Sequence, residues 1–177
     1  MRFAPPTLHC HTDTPLGRVW LAASPLGLCG LWFDGQRHIP GELQAWPQAP
    51  EHPVLRAAAQ QLQQVLRGER AGFDLALDLG GGTPFQQAVW QALRCIPVGQ
   101  TTSYGALARA VGRPAAVRAV GAAVGRNPLS VVVPCHRVLG QNGSLTGYAG
   151  GLERKAALLR LEGALPPART PLTGAPA

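Results

Sequence analysis

Residues 103–128 read SYGALARAVGRPAAVRAVGAAVGRNP, and the way this stretch folds decides the architecture of the second half of the chain. Ser103 is suited to cap a short helix from Tyr104 to Val111, which Gly112 closes. Pro114 then opens another helix running to about Val124, with Val117, Val120, Gly121 and Val124 spaced to face inward. Helix, tight turn, helix is the arrangement of a DNA-reading helix-turn-helix, and also of many plain packing units. The second helix carries little beyond Ala, Gly and Val, with Arg118 the one long side chain in its middle. An α-helix with ordinary side chains is about 10–12 Å across, too thick for a minor groove about 6 Å wide; trimmed to Ala and Gly, its backbone can come closer. Tight helix–helix packing would use the same small residues.

Upstream, Thr83-Pro84-Phe85-Gln86 combines an N-cap, a proline at the first helical position and a Gln three residues past the cap. A helix starts there, with Phe85, Val89 and Leu93 as its apolar stripe, and Pro97-Val98-Gly99 ends it. Gly80-Gly81-Gly82 is the most flexible stretch and the natural boundary between two units. Before it, Gly17–Leu21 and Leu26–Phe33 alternate as antiparallel strands separated by Ser24-Pro25. A proline-rich loop (Pro40, Pro47, Pro50, Pro53) follows, then a helix from Val54 to Arg67 with Leu55, Ala58, Leu62, Val65 and Leu66 at helical spacing, stopped by Gly68. Leu75–Leu79 reads as one more strand, and Leu152–Leu161 as a closing helix. The expected fold is α/β of the α+β kind. A small N-terminal α/β domain (1–80) has an antiparallel sheet and a helix; a mainly helical, winged-helix-like domain (81–165) and a disordered Pro-rich tail (166–177) follow.

Composition narrows the function. The N-terminus lacks an uninterrupted apolar segment, and nothing later approaches the roughly 18 apolar residues needed to cross a bilayer, so a cytoplasmic protein with no membrane partner is expected. Its four cysteines (Cys10, Cys29, Cys95, Cys135) should then stay reduced. The net charge of +7 is split: residues 1–80 hold six Arg and seven acids, residues 81–165 hold nine Arg or Lys and only Glu153 and Glu162. A one-signed field over one region points to a polyanion, nucleic acid before membrane.

Residues 131–140, VVVPCHRVLG, place a thiol, an imidazole and a guanidinium in consecutive positions behind an apolar run. The valines read as a buried strand ended by Pro134. A free Cys can be a small buried hydrophobe. As a nucleophile it needs a base, since its unperturbed pKa is about 8.5. His136 could serve through a water, because neighbours on extended backbone face apart, and that same geometry suits a shared metal poorly. A carboxylate would then orient the imidazole, and only Glu153 and Glu162 are available in this half.

PCHRV, taken with Gly99-Gln100-Thr101-Thr102-Ser103-Tyr104, Arg118-Ala119-Val120-Gly121, Arg126-Asn127-Pro128, Gly147-Tyr148-Ala149-Gly150-Gly151-Leu152 and Leu161-Glu162-Gly163, resembles the O6-alkylguanine-DNA alkyltransferase family. The match runs from about Thr83 to Gly163, with Thr14-Pro15-Leu16-Gly17 echoing the family's N-terminal domain. The resemblance implies a monomeric DNA-repair methyltransferase that flips a damaged guanine from double-stranded DNA on the minor-groove side. It moves the O6-alkyl group, and perhaps that of O4-alkylthymine, to its own cysteine once and irreversibly, without a soluble cofactor. It makes Cys135 the acceptor, His136 its water-mediated base, Glu162 the imidazole's partner and Asn127 the tie between recognition helix and active-site strand. Tyr104 would donate to guanine N3. The carbonyls of Cys135 and Val138 would accept from the exocyclic amine, the Ala149 amide would face O6, and Arg118 would fill the space left by the flipped base. Ser103, Ala119, Ala122, Arg126 and Tyr148 complete the DNA- and base-contacting set, and Ser130 and Thr146 fall where pocket size varies. The family sometimes holds a structural zinc in its N-terminal domain, for which His9-Cys10-His11 and Cys29 are the residues at hand. The alternatives are a non-catalytic lesion binder, which would lack the acceptor thiol, and a winged-helix regulator with a reactive cysteine. A cysteine hydrolase would need an oxyanion site that the sequence does not display.

Overall fold

The computed structural model describes Phe3, Pro5 and residues 7–167 of the 177-residue chain; the Pro-rich tail expected from Pro166 lies almost wholly outside the described residues. Three strands, β1 (Leu8–Thr14), β2 (Gly17–Ser24) and β3 (Gly27–Phe33), form an antiparallel meander in that order. β2 and β3 lie where the alternation put them. β1 escaped the reading because LHCHTDT has no apolar alternation; its place is set by the hairpin, which pairs Leu8 with Ala23 and Thr14 with Gly17. Helix α1 (Pro53–Leu66) buries Leu55, Ala58 and Leu62 against this sheet.

The strand expected at Leu75–Leu79 reduces to a single bridge between Leu77 and Leu28. Its ladder stops because Asp78 turns inward, where its carboxylate accepts from Ser24 Oγ at 2.6 Å and from the Gly80 amide at 2.8 Å. Farther along β3, the Leu31 amide donates to Pro128 O at 2.8 Å and Leu31 O accepts from the Ser130 amide at 2.9 Å. The outer edge of β3 is therefore covered by two short segments, which satisfies backbone groups that an open edge would leave bare. The second of them leads directly into the cysteine.

Four helices follow: α2 (Pro84–Arg94), α3 (Tyr104–Ala110), α4 (Val117–Gly125) and α5 (Leu152–Leu161), with a two-residue parallel pair of β4 (Thr102–Ser103) and β5 (Val138–Leu139). Thr83 caps α2 in a capping box with Gln86, and Ser103 Oγ accepts from the Ala106 amide at the start of α3. The glycines before α2 are held rather than slack. A Cβ on Gly82 would stand 2.3 Å from the Trp90 ring, so its absence lets that indole bury completely. Trp90 Nε1 then donates to Ala123 O at 2.9 Å and fixes α4 against α2.

α4 begins at Val117 rather than Pro114, because residues 114–116 form a separate turn in which the Ala116 amide donates to Arg113 O. Val117, expected to face inward, is consequently 39% exposed, while Val120, Ala123 and Val124 are buried. The larger correction concerns Val131–Val133, which form no strand. Val131 has φ of 70°, the Val133 amide donates back to Leu129 O at 2.8 Å, and the chain turns sharply between Pro128 and Pro134. Tertiary bonds to Leu31 and to the Asn127 side chain override the valines' β preference, at a backbone cost of order 1–3 kcal/mol for Val131. Leu21, Leu31, Leu55 and Leu62 share one apolar cluster with Trp90, Leu93, Val120, Val133 and Leu158.

Gly82→Ala should destabilise the fold by about 1–3 kcal/mol, since the added methyl must displace a buried indole. A lowered urea midpoint with unchanged slope is the expected reading, and Gly72→Ala, whose Cβ would meet nothing within 4 Å, is the control.

Candidate active site

Pro134 ends the valine turn, and Cys135–Arg137 form one turn of 3₁₀ helix running straight into β5. The backbone here is helical, not extended, which corrects the basis on which Cys135 and His136 were placed on opposite faces. Cys135 is 4% exposed, and its Sγ accepts from Asn127 Nδ2 at 3.0 Å. That amide also donates to Val133 O at 2.8 Å and Leu129 O at 3.3 Å, while Asn127 Oδ1 accepts from the Leu129 amide at 3.0 Å. Asn127, buried just past α4, thus ties the helix end, the valine turn and the thiol together.

A cavity of about 270 Å³ opens beside Cys135. Tyr104, Tyr148, Ala149 and Gly147 wall one part of it, and Gly121, Ala122, Val124, Gly125 and Arg126 of α4 and its end wall another. Arg37 and His38 reach its rim from the turn after β3, where the Arg37 amide donates to Ala149 O at 3.1 Å. Arg118 and Ala119 are exposed on α4 outside the cavity lining. Ser103 is occupied as a cap. Ser130 does not wall the cavity: it is 1% exposed, and its hydroxyl donates to Gln36 Oε1 at 3.0 Å. Val138 lies fully buried behind the lining.

Next along the 3₁₀ turn, His136 is completely buried, with Nε2 at 2.9 Å from Glu162 Oε1. If Nε2 carries the proton, Nδ1 is an acceptor, and it has no protein partner among the described residues. Glu162, the C-cap of α5, also receives a two-pronged ion pair from Arg137, with Nε to Oε2 at 2.9 Å and Nη2 to Oε1 at 2.8 Å. Glu153, the other acid of this half, is exposed.

Burial dominates the titration of this site. It raises the Cys135 thiol to about 11, against which the Asn127 hydrogen bond and the Lys155 charge act. It lowers His136 from its ordinary value, with the Glu162 hydrogen bond opposing. Burial would raise Glu162, but hydrogen bonds from His136 and Arg137 outweigh it and bring the carboxyl to about 2. Thiol, neutral imidazole and carboxylate are the resting forms at neutral pH.

Lys155 was missed by the sequence reading. It is fully buried on α5, without a carboxylate partner, and its Nζ donates to the carbonyls of Val138, Thr146 and Gly147. Burial lowers it to about 8. Its signal was in plain view, as the only lysine in a chain with fifteen arginines. Arg37, His38 and Gln36 gave no such signal, because proximity to residues 130–149 is purely tertiary.

The zinc set does not converge. Cys10 sits in the core beneath α1, whereas Cys29 belongs to the separate cluster on the other face of the sheet, with Trp32 and Leu43. His9 and His11 pack on Trp20, and among the described residues no three His, Cys, Asp or Glu are grouped to hold a metal.

A turn-borne thiol beside a cavity, backed by imidazole and carboxylate and fronted by a helix-turn-helix, defines a cysteine group-transfer site on a DNA-binding framework. Family models agree in both halves: residues 84–164 match the DNA-binding domain of 6-O-methylguanine DNA methyltransferase, and residues 8–79 match its ribonuclease-like domain. The chain belongs to the 6-O-methylguanine DNA methyltransferase family. A methylated-DNA–protein-cysteine methyltransferase of Mycobacterium leprae is 47% identical over 88% of this chain and 92% of its own length. The Mycobacterium tuberculosis OGT, solved in complex with DNA, superposes with a TM-score of 0.80 at 44% identity, covering 89% of this chain and 93% of that one. The enzyme from the archaeon Pyrococcus kodakaraensis superposes at 0.65 with 28% identity, covering 89% and 99%.

Because Glu162 is held below its ordinary 4.5, the stability it contributes is complete above pH about 4.5 and is lost as pH falls towards 2. Glu162→Gln should therefore lower the melting temperature at pH 7 and flatten its fall between pH 4.5 and 2, as followed by circular dichroism.

Proposed function

We infer that this chain is a DNA-repair protein that transfers an alkyl group from O6 of guanine in duplex DNA to Cys135, once per molecule. The observation that carries this reading is the Cys135 thiol set against a roughly 270 Å³ cavity with the His136–Glu162 pair behind it. In the proposed reaction the alkyl carbon's bond to O6 breaks as its bond to Sγ forms. The thiol proton passes through one water to His136 Nδ1 and is returned by way of solvent to the departing guanine, whose charge is stabilised meanwhile by a hydrogen bond from Tyr104 to N3. The resulting thioether is stable because its C–S bond offers no good leaving group to a nucleophile, which makes the protein its own co-substrate.

The remaining roles follow the cavity walls. Ala149 would present its amide to O6, and Tyr148 would pack against the alkyl group. Val138 O would share its two lone pairs between Lys155 and the purine's exocyclic amine, Cys135 O being the second acceptor. Gly121 and Ala122 would let α4 approach the minor groove, with Ala119, Arg126 and Ser103 contacting backbone and Arg118 entering the base stack. Removal of alkyl groups from O4 of thymine would use the same thiol. Two units divided at Gly80–Gly82, a monomer and a cytoplasmic location complete the reading; among the described residues no helix is long and apolar enough to cross a membrane.

Incubation with duplex DNA carrying labelled O6-methylguanine should place one label per protein on Cys135 by mass spectrometry. Repeated turnover would indicate a hydrolase, and lesion binding without label a non-catalytic binder; either would overturn the reading. Arg118→Ala should slow repair in duplex roughly 10-fold or more while altering the reaction with a free modified guanine base far less. Single-turnover kinetics on the two substrates make that comparison, and equal losses would remove its assigned place in the stack.

A further inference from the structure

We propose that Arg137 is a positioning residue for the transfer reaction: its guanidinium neutralises Glu162 so that the imidazole between Glu162 and Cys135 rests unprotonated and ready to accept the thiol proton. The proposal rests on the reading of His136 as the base and adds a member to that relay.

The geometry is specific. Arg137 is 8% exposed and makes three charge-assisted bonds, two to the Glu162 carboxylate and one from Nη1 to Ile96 O at the end of α2. Glu162 Oε1 is shared, accepting from Arg137 Nη2 at 2.8 Å and facing His136 Nε2 at 2.9 Å. An oxygen that already receives a guanidinium is a poorer partner for an imidazolium, because the pair is neutral before His136 gains any charge. A lone buried carboxylate in the same place would favour the charged ring strongly, by the usual effect of an opposite charge within about 4–6 Å.

The groups acting on His136 sort accordingly. Burial lowers it; Glu162 raises it; Arg137 and Lys155 lower it. Arg137 is the one of these cations that touches the carboxylate. Glu162 is held ionised by hydrogen bonds from His136 and Arg137, and of these two Arg137 is the one whose charge is permanent. The same ion pair lines a second cavity of about 340 Å³, which shares no lining residue with the cavity at Cys135. Arg137 thus acts from behind the relay, away from the space where a base would enter, and a plain ion-pair staple between α2, α5 and the site would make no demand on the protonation of His136.

The test is single-turnover alkyl transfer at saturating O6-methylguanine duplex, measured from pH 5.5 to 9, for wild type, Arg137→Lys, Arg137→Gln and His136→Ala. The expected result is an acid limb in the wild type that moves up by about 1 pH unit in Arg137→Gln. That variant should lose about 3-fold in rate at pH 6, more at pH 5.5, and match wild type at pH 9, and Arg137→Lys, which keeps the charge, should leave the limb in place. A loss in Arg137→Gln that is equal at every pH, or no shift, would overturn the proposal while leaving the base reading intact. Absence of an acid limb in both the wild type and Arg137→Gln, or its survival in His136→Ala, would overturn the base reading and the proposal together. If Arg137→Gln does not fold, Arg137→Met takes its place and NMR titration of His136 decides: a midpoint raised by about 1 pH unit over wild type supports the proposal, and an unchanged one refutes it.

Discussion

One side-chain amide holds the active centre together. Asn127 faces three acceptors, Leu129 O, Val133 O and Cys135 Sγ, with a single NH₂ group and accepts the Leu129 amide in return. Each bond alone contributes of order 1 kcal/mol. Their joint effect is geometric, because they fix the exit of α4, the turn that follows and the sulfur in one frame. That frame also keeps Val131 in a conformation that a β-branched residue avoids, and it sets the thiol in one cavity with Gly121, Ala122 and Gly125 at the small-residue end of α4. Neither replacement by an acid nor removal of the amide would leave the donors where these three acceptors need them.

Burial of the thiol sets the chemical problem that the rest of the site answers. Cys135 in its pocket is harder to ionise than a free cysteine, because burial disfavours the thiolate more than the Asn127 hydrogen bond and the Lys155 charge favour it. His136, Glu162, Arg137 and Lys155 are buried or nearly so and balance one another's charge around it, with two cations, one carboxylate and a neutral ring. Such a cluster is costly to desolvate and would be costly to disturb, so each member is better understood through what it does to its neighbours' protonation than through its own contribution to stability.

The first half serves the site more than its separate fold would indicate. The β3 edge pairs with the segment between Asn127 and Cys135, Gln36 accepts the Ser130 hydroxyl, and the Arg37 amide holds Ala149 O. Arg154 adds a strap from α5, with its guanidinium 4.8 Å above the Phe33 ring and a bond to Leu16 O at 2.8 Å. The cavity wall therefore includes Arg37 from the first half, bonded through its amide to Ala149 of the second.

Local signals in the sequence determined β2 and β3, the capped α2, the helix pair around the turn at Gly112–Pro114, the span of α5, and the adjacency of a thiol and an imidazole at Cys135 and His136. Each of these rests on interactions within a few residues: a capping box, an apolar stripe, a Pro–Cys–His–Arg run. Only tertiary structure decided that the valines turn instead of pairing, that Ser130 points to Gln36 and not into the cavity, that Lys155 lies buried under three carbonyls, and that Cys10 and Cys29 fall on opposite faces of the sheet. Those outcomes depend on which backbone groups a distant segment leaves unsatisfied, and hydrogen bonds across such distances leave no periodicity for a sequence to display.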